Sequence, residues 1–433
     1  MSNLTIGVIC IIVLFILLAM KMWVGIAMAL AGFLGLFLIR GFGPAWQMLY
    51  TTTFNNIASY SLTVMPMFVF MGCIISETDI GSNLYKTMHA WLGRLRGGLA
   101  YATVLATGFL GAITGSQLTG AIVMTKVALP EMERLNYKDE LSTGCIAAAS
   151  PLGILIPPST AFIIYGLLTE VAIGKLFIAG IVPGIITIAV FFVAISIWCR
   201  INKDLGPAAP TRYTWGEKFR SLGHMAPILV LFLLVMIGIY AGWFTATEAG
   251  AIGAFGALII SIVTRQMTWK RFVKSLRETA NLMGMIILQM AGTYVFSAAM
   301  TMSGLPAKLG SFIGGLALPS IVVILAIIVL YLILGCFLPE FPMIMLTVPI
   351  LFPVIKALNY DPIWFGVLIV VVMSVGMLTP PVGMVVYTLS GICKKPVGTI
   401  FKGVVPFILA EIVVIILLIA FPSIATWLPG IMR

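Results

Sequence analysis

The sequence predicts an all-α polytopic membrane protein made of two inverted-topology repeats, each holding a re-entrant helical hairpin and a broken helix. Three observations carry that expectation. Hydrophobic residues make up 61% of the chain against 9% charged, with a mean hydropathy of +1.15, so there is too little polar surface to wrap a soluble fold of this size. Asn136-Tyr137, Gly153, Pro157-Pro158 and Pro183 recur as Asn359-Tyr360, Gly376, Pro380-Pro381 and Pro406, each 223 residues downstream in a chain of 433. The copies thus keep helix-breaking Gly and Pro, the pattern of a secondary transporter whose broken helices line a central site. Third, the basic residues fall in clusters that orient the two copies oppositely.

At about 20 residues per span, helices are expected near 5–20, 23–39, 60–77, 176–199, 225–241, 248–264, 279–300 and 403–421. The first apolar run, Ile6 to Met20, is bounded by Lys21 and lacks a basic leader and a small-residue cleavage site, so a retained helix is expected rather than a signal peptide. Trp46 and Trp269 also match at the repeat offset and open amphipathic stretches, Trp46 to Asn56 and Trp269 to Ala280, that suit helices lying along the interface. Two regions are apolar but interrupted. Gly111 to Gln117 and Pro151 to Pro158 break the first, and Gly335 to Glu340 and Gly376 to Pro381 break the second. Pro157 and Pro158 remove backbone donors and clash with a continuing helix, and such breaks survive in a bilayer only when buried in protein or lining a polar cavity.

Net charge is +11, which in this setting reports orientation rather than nucleic-acid binding. Lys86, Arg94 and Arg96; Arg200, Lys203, Arg212, Lys218 and Arg220; Arg265, Lys270, Arg271, Lys274 and Arg277; and Lys394, Lys395 and Lys402 form four groups. All four fall in the cytoplasm only if the N-terminus is outside. With Lys21, Arg134 and Lys138, that places 19 of the 25 basic residues inside, five outside (Arg40, Lys175, Lys308, Lys356, Arg433) and Lys126 within a membrane segment. Arg94 and Arg96 precede the first break and Arg134 and Lys138 follow it, so the segment between is a hairpin with its tip near Thr114 to Thr119. Each arm, at 1.5 Å per residue, reaches roughly 20 Å, past the midplane but not across. The second hairpin, with its tip at Leu338 to Glu340, enters from the other side. Ten full crossings, five in each half, make the repeat inverted.

The expected layout follows. Residues 1–210 form the first repeat, with scaffold helices in 1–60, a hairpin over 97–136, a broken helix over 140–173 and a closing helix over 176–199. Residues 211–433 form the second, with scaffold helices in 225–280, a hairpin over 319–356, a broken helix over 362–392 and a closing helix over 403–421.

The chain resembles the large membrane subunit of tripartite ATP-independent periplasmic (TRAP) transporters, within the wider ion transporter superfamily. The likeness spans nearly the whole sequence. It rests on Trp-Leu-Gly-Arg-Leu-Arg-Gly-Gly-Leu at 91–99, Gly-Ala-Ile-Thr-Gly-Ser at 111–116, Gly-Ile-Leu-Ile-Pro-Pro-Ser at 153–159, Phe-Thr-Ala-Thr-Glu-Ala at 244–249 and Thr-Pro-Pro-Val-Gly at 379–383. The resemblance implies a sodium-driven elevator in the bacterial inner membrane: hairpins and broken helices slide against a scaffold, fed by a soluble periplasmic substrate-binding receptor. It also implies a small four-helix membrane subunit, expected as a separate polypeptide because the repeat accounts for this chain. The rival within the superfamily is a stand-alone carboxylate permease or cation antiporter.

The residues themselves suit sodium and an anion. Sodium is a hard cation, and unwound carbonyls with hydroxyls supply its oxygens without burying net negative charge. One site is expected between the first tip (Gly111, Thr114, Ser116) and the first break (Ser150, Gly153), another between the second tip (Gly335, Glu340) and the second break (Gly376, Thr379). Ser116, Gln117, Thr119 and Thr160, with the breaks at Pro157-Pro158 and Pro380-Pro381, are the candidates for holding a small carboxylate at helix N-termini, since no arginine or histidine lies near the proposed midplane. Glu340 is read as a cation ligand, or else a carboxylate facing a water-filled vestibule. Glu411 lies away from the breaks, Thr245-x-x-Glu248 has the form of a capping box, and Lys126 is placed to snorkel. Cys10, Cys73, Cys145, Cys199, Cys336 and Cys393 have no short spacing and read as packing residues. An enzyme is not expected, because His89 and His224 fall in or beside connectors and no His-Glu-x-x-His occurs.

Overall fold

The computed structural model describes residues 2–315 and 319–431, so the basic residue placed at Arg433 lies outside the described residues. The described chain is helical throughout, with no strand. The first copy comprises α1 (Asn3–Ala19), α2 (Val24–Arg40), α3 (Phe42–Ile57), α4 (Val64–Ser76), α5 (Ile80–Leu92), α6 (Gly98–Thr114), α7 (Gln117–Arg134), α8 (Asp139–Ala149), α9 (Leu152–Leu155), α10 (Thr160–Thr169) and α11 (Ile173–Ile201). The second comprises α12 (Trp215–Tyr240), α13 (Ala246–Val263), α14 (Trp269–Ser303), α15 (Leu305–Gly315), α16 (Ser320–Gly335), α17 (Glu340–Ala357), α18 (Pro362–Leu378), α19 (Met384–Cys393), α20 (Val397–Ala420) and α21 (Ser423–Ile431).

The two copies repeat in backbone detail. Pro157-Pro158 and Pro380-Pro381 are both cis, and Asn136 and Asn359 both adopt left-handed angles, at φ 59° and 58°. Asn tolerates that region better than other side chains, and each turns the chain from a hairpin arm into the following broken helix.

Connectors fix where the first hairpin begins and ends. The Gly97 amide donates to the Gly206 carbonyl (2.9 Å) and the Lys138 amide to the Leu205 carbonyl (3.0 Å). The Tyr137 hydroxyl accepts from the Leu99 amide at 3.2 Å. Both feet of the α6–α7 hairpin therefore stand on one connector, beside the end of α11. The arms between are 17 and 18 residues.

Burial divides the molecule. All of α6 is buried except Leu105 and Phe109, which are half-buried, and α18 is buried from Trp364 to Leu378. Helices apolar all round and surrounded by protein form an interior. By contrast α1, α12, α13 and α20 leave Ile16, Val230, Val263 and Ile416 more than half exposed, the surface expected against lipid. The scaffold packs by small residues: a Cβ on Gly25 would lie 2.7 Å from Gln289 Cα, and one on Gly32 2.6 Å from the Phe296 amide nitrogen. Such close backbones are how membrane helices gain van der Waals contact where lipid removes the hydrophobic drive.

Several expected elements differ. The amphipathic stretch at Trp269 to Ala280 and the helix at 279–300 are one 35-residue helix, α14, while the matching segment in the first copy bends by 55° between α3 and α4. Local chemistry explains the difference. Asn55, Asn56, Ser59, Ser61 and Thr63 crowd the first bend, with Asn56 Nδ2 donating to the Thr52 carbonyl (2.8 Å) and Thr63 Oγ1 to that of Tyr60 (2.6 Å). Short polar side chains compete in this way with the helical ladder; at the repeat offset the second copy keeps a polar residue, Thr279, for Asn56 but has Leu282, Gly284 and Ile286 in place of Ser59, Ser61 and Thr63. Helix α12 starts ten residues before the expected 225, launched by a Thr214–Glu217 capping box. Helices α5, α15 and α21 were not expected, and the first broken helix has two interruptions, at Ser150-Pro151 and at Ile156 to Ser159. Among the described residues five single helices and the interrupted run Asp139–Thr169 (α8 to α10) are long and apolar enough to span a bilayer, eight spans in all if the two bent pairs are counted. Length alone admits α17 among them, although it is the second arm of a hairpin.

Candidate functional site

In the first half, α6 ends at Gly115, whose φ of +62° calls for glycine. Ser116 then caps α7, its Oγ accepting from the Thr119 amide at 3.4 Å. The broken helix carries a second serine cap that the sequence reading missed: Ser159 Oγ accepts from the Phe162 amide at 3.2 Å and donates to the Ile154 carbonyl. Its signal was present, a serine directly before an apolar run. Tip and break are locked together. A Cβ on Gly111 would stand 2.4 Å from Gly153 Cα, and Thr160 Oγ1 donates to the Gly115 carbonyl at 2.8 Å. Thr114 Oγ1 donates to the Leu110 carbonyl (2.9 Å) and Ser150 Oγ to that of Ile146 (2.7 Å), so each hydroxyl keeps its lone pairs free to accept a proton donor or a cation. Pro157, Pro158, Ser159 and Thr160 are all buried.

The second half repeats the contact with different chemistry. A Cβ on Gly335 would lie 2.8 Å from Gly376 Cα. The Cys336 thiol, expected only as packing, lies between two carbonyls, that of Leu332 on its own helix at 3.2 Å and that of Pro380 in the break at 3.3 Å, so it stands where Thr160 joins tip to break in the first half. Thr379 Oγ1 donates to the Val375 carbonyl at 2.6 Å. No side chain caps α17 or α19, whose cap positions are Pro339 and Gly383. Pro380 and Pro381 are exposed.

The halves meet through their equivalent residues. Gln117 Nε2 donates to Glu340 Oε2 at 2.6 Å, and these residues are 223 apart, the repeat offset. Both are buried, at 3% and 8% exposure, and both are the first residue of a second hairpin arm. Gln117 Nε2 also lies 3.3 Å from Met377 Sδ, just before the second break. Gln117 Oε1 is buried without a hydrogen-bond partner among the described residues. Sequence reading had given Gln117 to the substrate and Glu340 to an ion; the fold gives them one bond. The second arms also cross over, α17 packing on α10 and α7 on α19.

Thr119 is half-buried on the first turn of α7, beside Ser116, and the remaining candidates lie apart: Lys126, farther along α7, is exposed. Glu411 is buried on α20, with Oε2 unpartnered among the described residues. Glu248 caps α13, its Oε2 accepting from the Thr245 amide at 2.7 Å while the Thr245 hydroxyl accepts from the Glu248 amide. Far from the tips, Lys395 joins the copies by ion pairs to Glu133 (2.8 Å) and Asp139 (3.0 Å), and the Glu133 and Asp139 carboxylates push its pKa above the usual lysine value.

Electrostatically the arrangement sorts charge by helix end. The starts of α7, α10, α17 and α19 carry partial positive charge from unpaired amides, and the ends of α6, α9 and α18 carry partial negative charge from carbonyls. Among the described residues no three His, Cys, Asp or Glu side chains gather as a metal cluster, so a cation here would rely on carbonyls, hydroxyls and the single acid Glu340.

Both the fold and the sequence have known relatives. A crystal structure of the Alcanivorax borkumensis YdaH transporter, described as having an unusual topology, superposes over 90% of both chains with a TM-score of 0.58 at 15% identity, a likeness of fold. The C4-dicarboxylate TRAP transporter large permease protein DctM of Pseudomonas aeruginosa is 32% identical over 87% of this chain and 88% of its own. The ectoine/5-hydroxyectoine TRAP transporter large permease protein UehC of Ruegeria pomeroyi is 32% identical over 93% of both. Residues 11–424 match the family model for the DctM component of tripartite ATP-independent periplasmic transporters. The chain belongs to that family and is a TRAP transporter large permease.

Proposed function

We propose that this permease imports a small organic acid, coupled to sodium, by an elevator movement of the two hairpins and two broken helices against the scaffold. The Gln117–Glu340 bond carries the reading. It joins the hairpin tips of both copies in a buried place, so a ligand between them would be reached from either side only if the tips and breaks move together. The cation sites lie at Gly111, Thr114, Ser116, Ser150 and Gly153, and at Gly335, Glu340, Gly376 and Thr379. The hydroxyls of Thr114, Ser150 and Thr379 donate to their own helices and keep lone pairs free, which fits the oxygen ligands a hard cation takes. In the first half Ser116 and Ser159 already fill the helix starts. The ligand's carboxylate therefore goes to the uncapped amides of α17 and α19 beside Pro380-Pro381, with Gln117, Thr119 and Thr160 shaping the opposite wall.

A separate four-helix membrane subunit and a periplasmic receptor complete the transporter, the N-terminus lies on the periplasmic side of the inner membrane, and the repeats divide near residue 210. Relatives named for a C4-dicarboxylate and for ectoine leave the acid itself to be chosen by the receptor and by the Gln117–Glu340 wall. Each net positive charge moved inward gains about 2.3 kcal/mol per 100 mV, so about two sodium ions with a monoanion, or about three with a dianion, draw on the membrane potential as well as on the sodium gradient. The test is uptake into proteoliposomes holding both membrane subunits, with loaded receptor outside. Uptake should require an inward sodium gradient; equal uptake with choline in place of sodium would refute the coupling, and uptake by this chain alone without receptor would refute the tripartite reading.

A further inference from the structure

We propose that the crevice between α5 and the first turns of α12 holds the phosphate of an anionic phospholipid. It encloses about 390 Å³ and is walled by Lys86 and Thr87 from α5 and by Tyr213, Arg220 and Ser221 from the α12 side. Lys86 and Arg220 are both exposed at its mouth. The one acid on its wall, Glu217, is committed to the helix cap: its Oε2 accepts from the Thr214 amide (2.7 Å) and hydroxyl (2.9 Å). Against that single negative charge Lys86 and Arg220 leave the crevice net positive, which favours an outside anion.

Three observations place this crevice at headgroup depth. The two parts of α12, Trp215–Gly223 and Met225–Tyr240, are inclined by 55° to one another, so the first part tilts away from the span that follows. Trp215 and Phe219 on that part are 69% and 62% exposed. They cluster with Trp91 of α5, whose ring centroid is 5.7 Å from that of Phe219, and Lys218 Nζ stands 5.8 Å over Trp91 and 5.1 Å over Trp215. Exposed tryptophans with one polar edge and a neighbouring lysine mark the membrane–water boundary. The walls are also fixed in place, with Thr87 Oγ1 donating to the Ser221 carbonyl (3.0 Å) and Trp91 Nε1 to the Lys218 carbonyl (3.2 Å). A basic pocket between membrane helices at this depth has the form that takes a lipid headgroup, and the aromatic surface beside it offers the acyl chains a place to lie. A free phosphate would use the cations but not that surface.

Native mass spectrometry of the permease, purified with the subunit that accompanies it, tests the assignment with phosphatidylglycerol and phosphatidylcholine as probes. Phosphatidylglycerol should be retained in preference, and excess inorganic phosphate should not displace it. Each basic residue near a charged lipid is worth about a factor of five, so Lys86→Ser with Arg220→Ser should weaken retention about 25-fold, while Lys308→Ser, an exposed cation elsewhere, should leave it unchanged. Equal retention of both lipids by the unaltered protein would overturn the proposal, as would a double variant that retains phosphatidylglycerol normally. Displacement by inorganic phosphate would reassign the crevice to a free anion and overturn it too. The bound-lipid readout is independent of transport, so it stands or fails separately from sodium coupling.

Discussion

The first half-site is buried and its helix starts are capped by serines, while the second exposes its proline pair and begins its helices without side-chain caps. Pro157 to Thr160 are buried, their helix is capped by Ser159, and Thr160 ties the break to the tip. Pro380 and Pro381 are exposed, and α17 and α19 begin without a side-chain cap. Two copies of one unit have thus diverged at their helix starts while keeping the glycine contact that joins tip to break. What the contrast teaches is a division of labour: one copy holds its geometry, and the other leaves amides available to a ligand.

The largest expected effect comes from the shared glycine contact. Gly111→Val drives a side chain into the Gly153 backbone, where neither partner is a flexible side chain, and should cost about 3 kcal/mol. Gly335→Val meets Gly376 at a looser approach, 2.8 Å against 2.4 Å, and should cost less. Thermal unfolding of the purified variants gives the order; a Gly335→Val protein less stable than Gly111→Val would break the claim that the first half is the tighter one. Next is Gln117→Ala, which leaves Glu340 buried without its donor and should cost about 2 kcal/mol together with most of the uptake. A Gln117→Ala protein with normal uptake would detach the bond from function.

The caps discriminate the halves more finely. Ser159→Ala should lose about 1 kcal/mol, and Pro339→Ser, which offers α17 the hydroxyl cap that Ser116 gives α7, should gain about 0.5–1 kcal/mol. If the uncapped amides hold the ligand, Pro339→Ser also raises KM for uptake; an unchanged KM would move the anion elsewhere. The smallest effect is at Lys395, whose partly exposed pairs to Glu133 and Asp139 are worth about 0.5 kcal/mol after solvent screening. Because folding raises its pKa, that contribution is complete below the usual lysine value of about 10.4 and fades as pH rises through the folded value. Unfolding of Lys395→Met compared with the unaltered protein at neutral and strongly alkaline pH checks the sign.

Much of this was legible in the sequence because it rests on residues with few alternatives. Pro157-Pro158 and Pro380-Pro381 cannot continue a helix, and Asn136 and Asn359 suit a left-handed turn, so the breaks announced themselves. Composition likewise fixed the solvent. What sequence could not give was pairing across the copies. Nothing in the residue types of Gln117 and Glu340 says that they touch, although their spacing by the repeat offset was a usable signal. Nor did the matched tryptophans reveal that α14 runs straight where α3 and α4 bend, because that turns on Asn and Ser side chains competing with the helical ladder. Cys336 hid for a simpler reason: a lone cysteine in an apolar chain reads as packing, and its carbonyl partner outside its own helix, Pro380, comes near only in the folded chain.

The asymmetric pair is the centre of the account, and exchanging it is the most direct test. Gln117→Glu combined with Glu340→Gln keeps one amide and one carboxylate in contact but moves the acid to the capped half. Sodium-dependent uptake by this double variant, measured in proteoliposomes with both membrane subunits and loaded receptor, should retain a folded transporter with a clearly weakened sodium dependence. Sodium dependence and uptake identical to the unaltered protein would contradict the account, since the two halves would then be interchangeable.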